Sequence, residues 1–90
     1  MSAESVHLAT LAHEGRFWDV YVEFQDPEPH DRYVRARLRF SAADESDDGA
    51  TARDVYTAPI FVEDSHDEIL ARARSFHSEQ VIGLLRSCLP

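Results

Sequence analysis

Two stretches of this chain alternate strictly between apolar and polar side chains, and nothing else in the sequence constrains the fold as much. Over residues 16–25, Trp18, Val20, Val22 and Phe24 fall on one side, and Phe17, Asp19, Tyr21 and Glu23 on the other. Over residues 33–40, Val34, Ala36, Leu38 and Phe40 oppose Tyr33, Arg35, Arg37 and Arg39. A period of two belongs to a strand with one buried face. The segment between them, Asp26 to Asp31, holds Pro27 and Pro29. It therefore reads as a loop, because two prolines do not fit inside a paired strand.

The two strands can be tested against each other as an antiparallel hairpin. The pairs Trp18–Phe40, Val20–Leu38, Val22–Ala36 and Phe24–Val34 make an all-apolar inner face. The pairs Asp19–Arg39, Tyr21–Arg37 and Glu23–Arg35 then line the outer face. A slip of one residue would carry Arg35 and Arg37 onto the apolar side, so a one-residue slip is excluded.

The flanking segments extend the sheet. Residues 1–4 are expected to be disordered and residues 5–13 to form a first strand. Glu14-Gly15 supplies a tight turn, with Gly15 able to take a positive φ. After residue 40 the chain becomes small and acidic and reads as a loop, flexible over 43–52. A fourth strand is expected at 53–62, with Tyr56, Ala58, Ile60 and Val62 on its inner face. Pro59 places that strand at a sheet edge or on a bulge.

The helix signal follows. Ser65-His-Asp-Glu68 fits a capping box: the Ser65 hydroxyl meets the amide of residue 68, and Glu68 reaches back to the amide of residue 65. Apolar residues then recur at Ile69, Leu70, Ala73, Val81, Leu84 and Cys88, which reads as one helical stripe over 65–89. The expected fold is a single α+β domain over 1–90: a four-stranded antiparallel β-sheet, ββββα in order, with one C-terminal helix packed on one face.

Composition narrows the function classes. The chain has 90 residues and a formal net charge of −8, which disfavours non-specific binding to nucleic acid or anionic membranes. All nine basic residues are arginine. Lysine-free acidity fits either a GC-rich coding bias or a high-salt cytoplasm, and neither requires a partner. Cys88 is the single cysteine, so no intrachain disulfide forms and a reducing, cytoplasmic setting is expected. The N-terminus lacks a basic region followed by an apolar run, which argues against a secretory signal. No apolar run approaches the ~20 residues of a membrane span.

No motif carries a strong chemical signal. Asp44 to Gly49 matches the opening of a calcium loop, but Val55 stands where a bidentate Glu is needed. His7, His13, His30, His66 and His77 form no helical His-x-x-x-His pair, and Cys88 has no Cys partner at ligand spacing. His77 is expected to be partly buried beside the helix stripe. No cofactor, metal or catalytic group is expected.

What remains is a non-enzymatic protein-interaction or accessory domain that contacts either a second copy of itself or another protein. The expected surface is the helix end at Ile82, Leu85 and Leu89, which leave the main stripe, with or without an exposed strand edge. At ~1.5 Å per residue, an unbroken helix over 65–89 would be long enough to overshoot the sheet. A break near Gly83 would instead fold its last turns back. A second reading is single-stranded nucleic-acid binding through Tyr21, Tyr33, Arg35, Arg37 and Arg39, since aromatics and cations on an exposed sheet stack bases and hold phosphates.

Overall fold

A computed structural model describes residues 4–26, 30, 32–43 and 54–89. The chain forms β1 (Ser5–His13), β2 (Arg16–Phe24), β3 (Val34–Ala43), β4 (Asp54–Tyr56), β5 (Phe61–Glu63), α1 (His66–Arg74) and α2 (Ser78–Cys88). The sheet order is β1-β2-β3-β4, with β5 pairing the other end of β3, and every pairing is antiparallel. The α+β class is therefore as expected, with two differences of detail. The fourth strand is split in two, and so is the helix. Two segments expected to be flexible lie mostly outside the described residues. At their margins, the Glu4 carbonyl accepts a bond from the Phe24 amide at 2.8 Å, and Ala43 belongs to β3.

The β1–β2 turn uses both of its central residues in the left-handed region, Glu14 at φ 51° and Gly15 at φ 78°. This is what a two-residue hairpin turn demands. At Glu14 it costs about 1 kcal/mol, because an L side chain is crowded there.

Both alternating faces fall where the sequence puts them, but the β2–β3 register is slipped by two residues. Val20 faces Phe40, Val22 faces Leu38, Phe24 faces Ala36 and Trp18 faces Ala42. On the outer side Tyr21 faces Arg39 and Glu23 faces Arg37, while Asp19 faces Ser41. A two-residue slip preserves every inside-outside assignment, so hydrophobic pattern cannot detect it. Two features favour the observed pairing. All four of its inner pairs set a larger side chain against a smaller one, whereas the expected pairing set the bulky rings of Trp18 and Phe40 against each other. In addition, Asp19 needs no arginine, because β1 supplies its partners, Thr10 and His7.

The β4–β5 segment corrects the expected phase. Tyr56, Ala58, Ile60 and Val62 are exposed, while Phe61 is 2 % exposed and Val55 packs against the core. Phe61, the bulkiest apolar residue of the segment, goes inward, and its neighbours Ile60 and Val62 are left out. Pro59 sits in the gap between the two strands, as an edge position allows. Thr57 bridges that gap. Its amide donates to the Leu38 carbonyl at 3.0 Å, and its hydroxyl accepts the Leu38 amide at 3.0 Å.

The helical region breaks at Ser75–His77, not at Gly83. The stripe explains why. At about 100° per residue, Val81 and Leu85 lie about 80° and 120° around an unbroken helix from Ala73. One straight helix could not point all of them at the sheet. With the break, Ile69, Ala73, Val81 and Leu85 are all buried. Phe76 in the break packs its ring 5.6 Å from that of Phe61. His77 is exposed and serves as the N-cap of α2, its amide donating to Gln80 Oε1 at 2.8 Å, so it is not the partly buried stripe residue expected. At the start of α1 the Glu68 amide donates to Ser65 Oγ at 3.2 Å as predicted. The return bond from Glu68 goes to the Asp64 amide rather than to that of residue 65.

The core lies between the helices and one face of the sheet. It is centred on Val20, Val22, Leu38, Phe40, Phe61, Ile69 and Leu85. The indole N–H of Trp18, at one end of this core, is buried with no hydrogen-bond partner among the described residues.

Candidate functional site: the open face of the sheet

The helices take one face of the sheet, and among the described residues no element covers the other. Period-two alternation places Asp19, Tyr21 and Glu23 of β2, Arg35, Arg37 and Arg39 of β3, and Tyr56 of β4 on that open face. His7 and Thr10 join it from β1, opposite Tyr21 and Asp19.

Its polar groups form two linked clusters. In the first, Glu23 accepts Arg37 Nε at 2.7 Å and Arg39 Nε at 3.1 Å, and Arg39 Nη1 lies 3.5 Å from Asp54 Oδ2. The Arg37 guanidinium lies over the Tyr56 ring at 4.1 Å, and that of Arg39 over Tyr21 at 4.2 Å. In the second, the Thr10 hydroxyl donates to Asp19 Oδ1 at 2.8 Å, and His7 Nε2 lies 3.2 Å from the same oxygen. The His7 ring meets Tyr21 edge-on at 5.3 Å, which joins the clusters. The hydrogen bond from Thr10, and then that from His7, hold the Asp19 carboxyl below its ordinary range.

Threonine, histidine and aspartate are the residue types of a nucleophile relay, but the geometry is not that of one. His7 presents the same nitrogen, Nε2, to Asp19 and, at 3.4 Å, to Thr10. A relay needs the two ring nitrogens divided between acid and hydroxyl. Among the described residues, no group of three or more His, Cys, Asp and Glu is arranged to hold a metal ion. The calcium-like segment at 44–49 lies outside the described residues.

Of the residues named for a nucleic-acid face, Tyr21, Arg37 and Arg39 come together. Arg35 continues their row opposite Val62, and Tyr33 immediately precedes β3 with the Arg32 guanidinium 5.3 Å from its ring. Arg35, Arg37 and Arg39 share the face with Asp19, Glu23 and Asp54, so its formal charges cancel.

Ile82, Leu85 and Leu89 do not form a surface patch. Leu85 is 0 % exposed within the core, and Ile82 and Leu89 pack half-buried against it. The break at 75–77 turns α2 back onto β1 and β4, and Cys88 Sγ donates to the Tyr56 carbonyl at 3.2 Å. Among the described residues, the exposed large apolar ones are instead Phe17, Tyr33, Tyr56, Ile60 and Val62. Sequence reasoning assigned Tyr56, Ile60 and Val62 to the interior. Placing Phe61 inward would have moved all three to the surface.

Comparison with known proteins matches this chain to no family model, no curated protein and no solved structure. Among the described residues, no helix is long and apolar enough to cross a membrane.

Proposed function

We propose that this domain is a non-enzymatic protein-interaction module that docks a protein partner on the open face of its sheet, along the β4–β5 flank. One observation carries the reading. Among the described residues, three of the five exposed large apolar side chains (Tyr56, Ile60 and Val62) fall within seven residues of this flank, and Val62 pairs beside Arg35. Single exposed apolar residues are ordinary on any surface, but their concentration beside arginine and tyrosine is the composition of an interface core. The lone Cys88 supports a reducing, cytoplasmic setting.

The test compares cross-linked partners captured from the native cell by the wild-type chain and by the double variant Ile60→Glu, Val62→Glu. Both positions are exposed, so the variant should melt as the wild type does. A partner held by the wild type and lost by the variant supports this flank. A partner held equally by both places the contact elsewhere.

A second reading, single-stranded nucleic-acid binding, is favoured by the guanidinium-stacked Tyr21 and Tyr56 rings on an uncovered sheet. A phosphate would have to compete with Glu23 for both arginines. Amide shifts at Tyr21, Arg37 and Arg39 on adding mixed oligonucleotides at low salt would favour it. An unchanged spectrum would exclude it.

A further inference from the structure

The free edge of β1 is a second surface, independent of the proposed flank, and its chemistry points to a different occupant. β1 ends the sheet order and pairs β2 along its length, leaving its outer backbone edge without a strand among the described residues. Natural edge strands are blunted by charge, proline, shortness or a bulge. The edge opposite is blunted in several of these ways. β4 and β5 are three residues each, Pro59 separates them, and Asp54 and Glu63 carry charge. β1 is nine residues long, contains no proline, aspartate, glutamate or arginine, and is interrupted only by the register shift between His7 and Ala9. From Ala9 to His13 its pairing is regular.

We infer that β1 pairs antiparallel with β1 of a second copy of this chain. The charge distribution selects this occupant. Two copies at −8 repel each other. At physiological salt that repulsion is screened beyond about 8 Å, so what matters is the charge at the contact itself. Each of β2, β3, β4 and β5 carries an acid or an arginine, and β1 alone carries neither. It is the strand along which two such chains can approach closely. An antiparallel strand pair is also two-fold symmetric, so the same strand serves both sides of the contact and the assembly closes at two. The two five-stranded sheets join into one, with the open faces continuous across the seam.

Light scattering on the size-exclusion peak of the full chain tests this at low and high salt. The expected mass is twice the 10.2 kDa of one chain, persisting or tightening as salt rises, because salt screens the repulsion and leaves the backbone seam intact. The double variant Ser5→Lys, Ala12→Lys, at two exposed β1 positions, should elute at the single-chain mass, still melt cooperatively, and lose the rise of melting temperature with protein concentration that a dimer shows. Ile60→Glu, Val62→Glu should remain a dimer, which separates this contact from the proposed flank. A wild-type monomer, a dimer that dissociates in high salt, or a lysine variant that stays dimeric would each overturn the inference.

Discussion

At one margin of the sheet the chain runs nine residues, Ser5–His13, with two histidines as its only ionisable side chains. At the other it makes two three-residue strands with Pro59 between them. The first margin is held to the fold by an almost unbroken ladder to β2 and a tight turn. The second is held by one buried ring, Phe61, and by a side-chain hydroxyl, Thr57 Oγ1, standing in for a missing strand. The difference shows that the length of a strand and its contribution to the core are separable. The short margin is anchored deeply, and the long one offers a regular, uncharged edge.

The largest expected effect tests that anchoring. Phe61→Ala should cost about 3–5 kcal/mol, a large part of the stability of so small a domain, whereas Val62→Ala should cost little. Urea denaturation of the two variants reads the contrast, and similar losses for both would break the assigned phase of β5. Thr57→Val comes next. It keeps the shape of the side chain but strands the Leu38 amide, and should cost about 1–3 kcal/mol by the same measurement. A neutral result would mean that the hydroxyl does not hold the gap. On the long margin, Ser5→Lys and Ala12→Lys should each stay within about 0.5 kcal/mol of wild type in thermal melts of samples dilute enough to be monomeric. A larger loss in the monomer would show that these two side chains are not exposed in the single chain.

The smallest effect concerns pH. Asp19 titrates below its ordinary range because Thr10 and His7 bond its charged form. A depressed carboxyl contributes stability that is fully present above the unfolded carboxylate pKa and is lost as pH falls through the lower folded value. Thr10→Val should move the Asp19 titration upward in an NMR experiment and weaken that acid-side dependence. An unmoved titration would show that the threonine bond does not set it.

The inner and outer faces of β2 and β3 were legible in the sequence because a period of two is a strong local signal. So were the β1 boundaries, the Glu14-Gly15 turn and the Ser65 cap. What escaped was non-local. The β2–β3 register depends on Asp19 being satisfied by β1, which pairwise comparison of β2 with β3 does not include. The helix break depends on where the sheet lies relative to Ala73 and Val81. The site suffered most from a short segment. Over 53–62 a run with apolar residues at both parities, Tyr56, Ile60 and Val62 against Val55 and Phe61, has no phase until something decides which residue is deepest.

The β2–β3 register has a consequence for how the chain reaches its fold. A hairpin closed two residues out of step hides the same apolar side chains as the native one, so collapse cannot tell them apart. The slipped hairpin is therefore a competitor that hydrophobic pattern alone does not disfavour. Choosing between them falls to the fit of individual pairs, Trp18 with Ala42 and not Phe40, and to polar groups: Glu23, which bonds both Arg37 and Arg39, and Asp19, released from arginine by Thr10 and His7. These side chains act as proofreaders of strand alignment, and Glu23→Gln should appear in refolding kinetics as a slow re-registration phase more than as a loss of final stability.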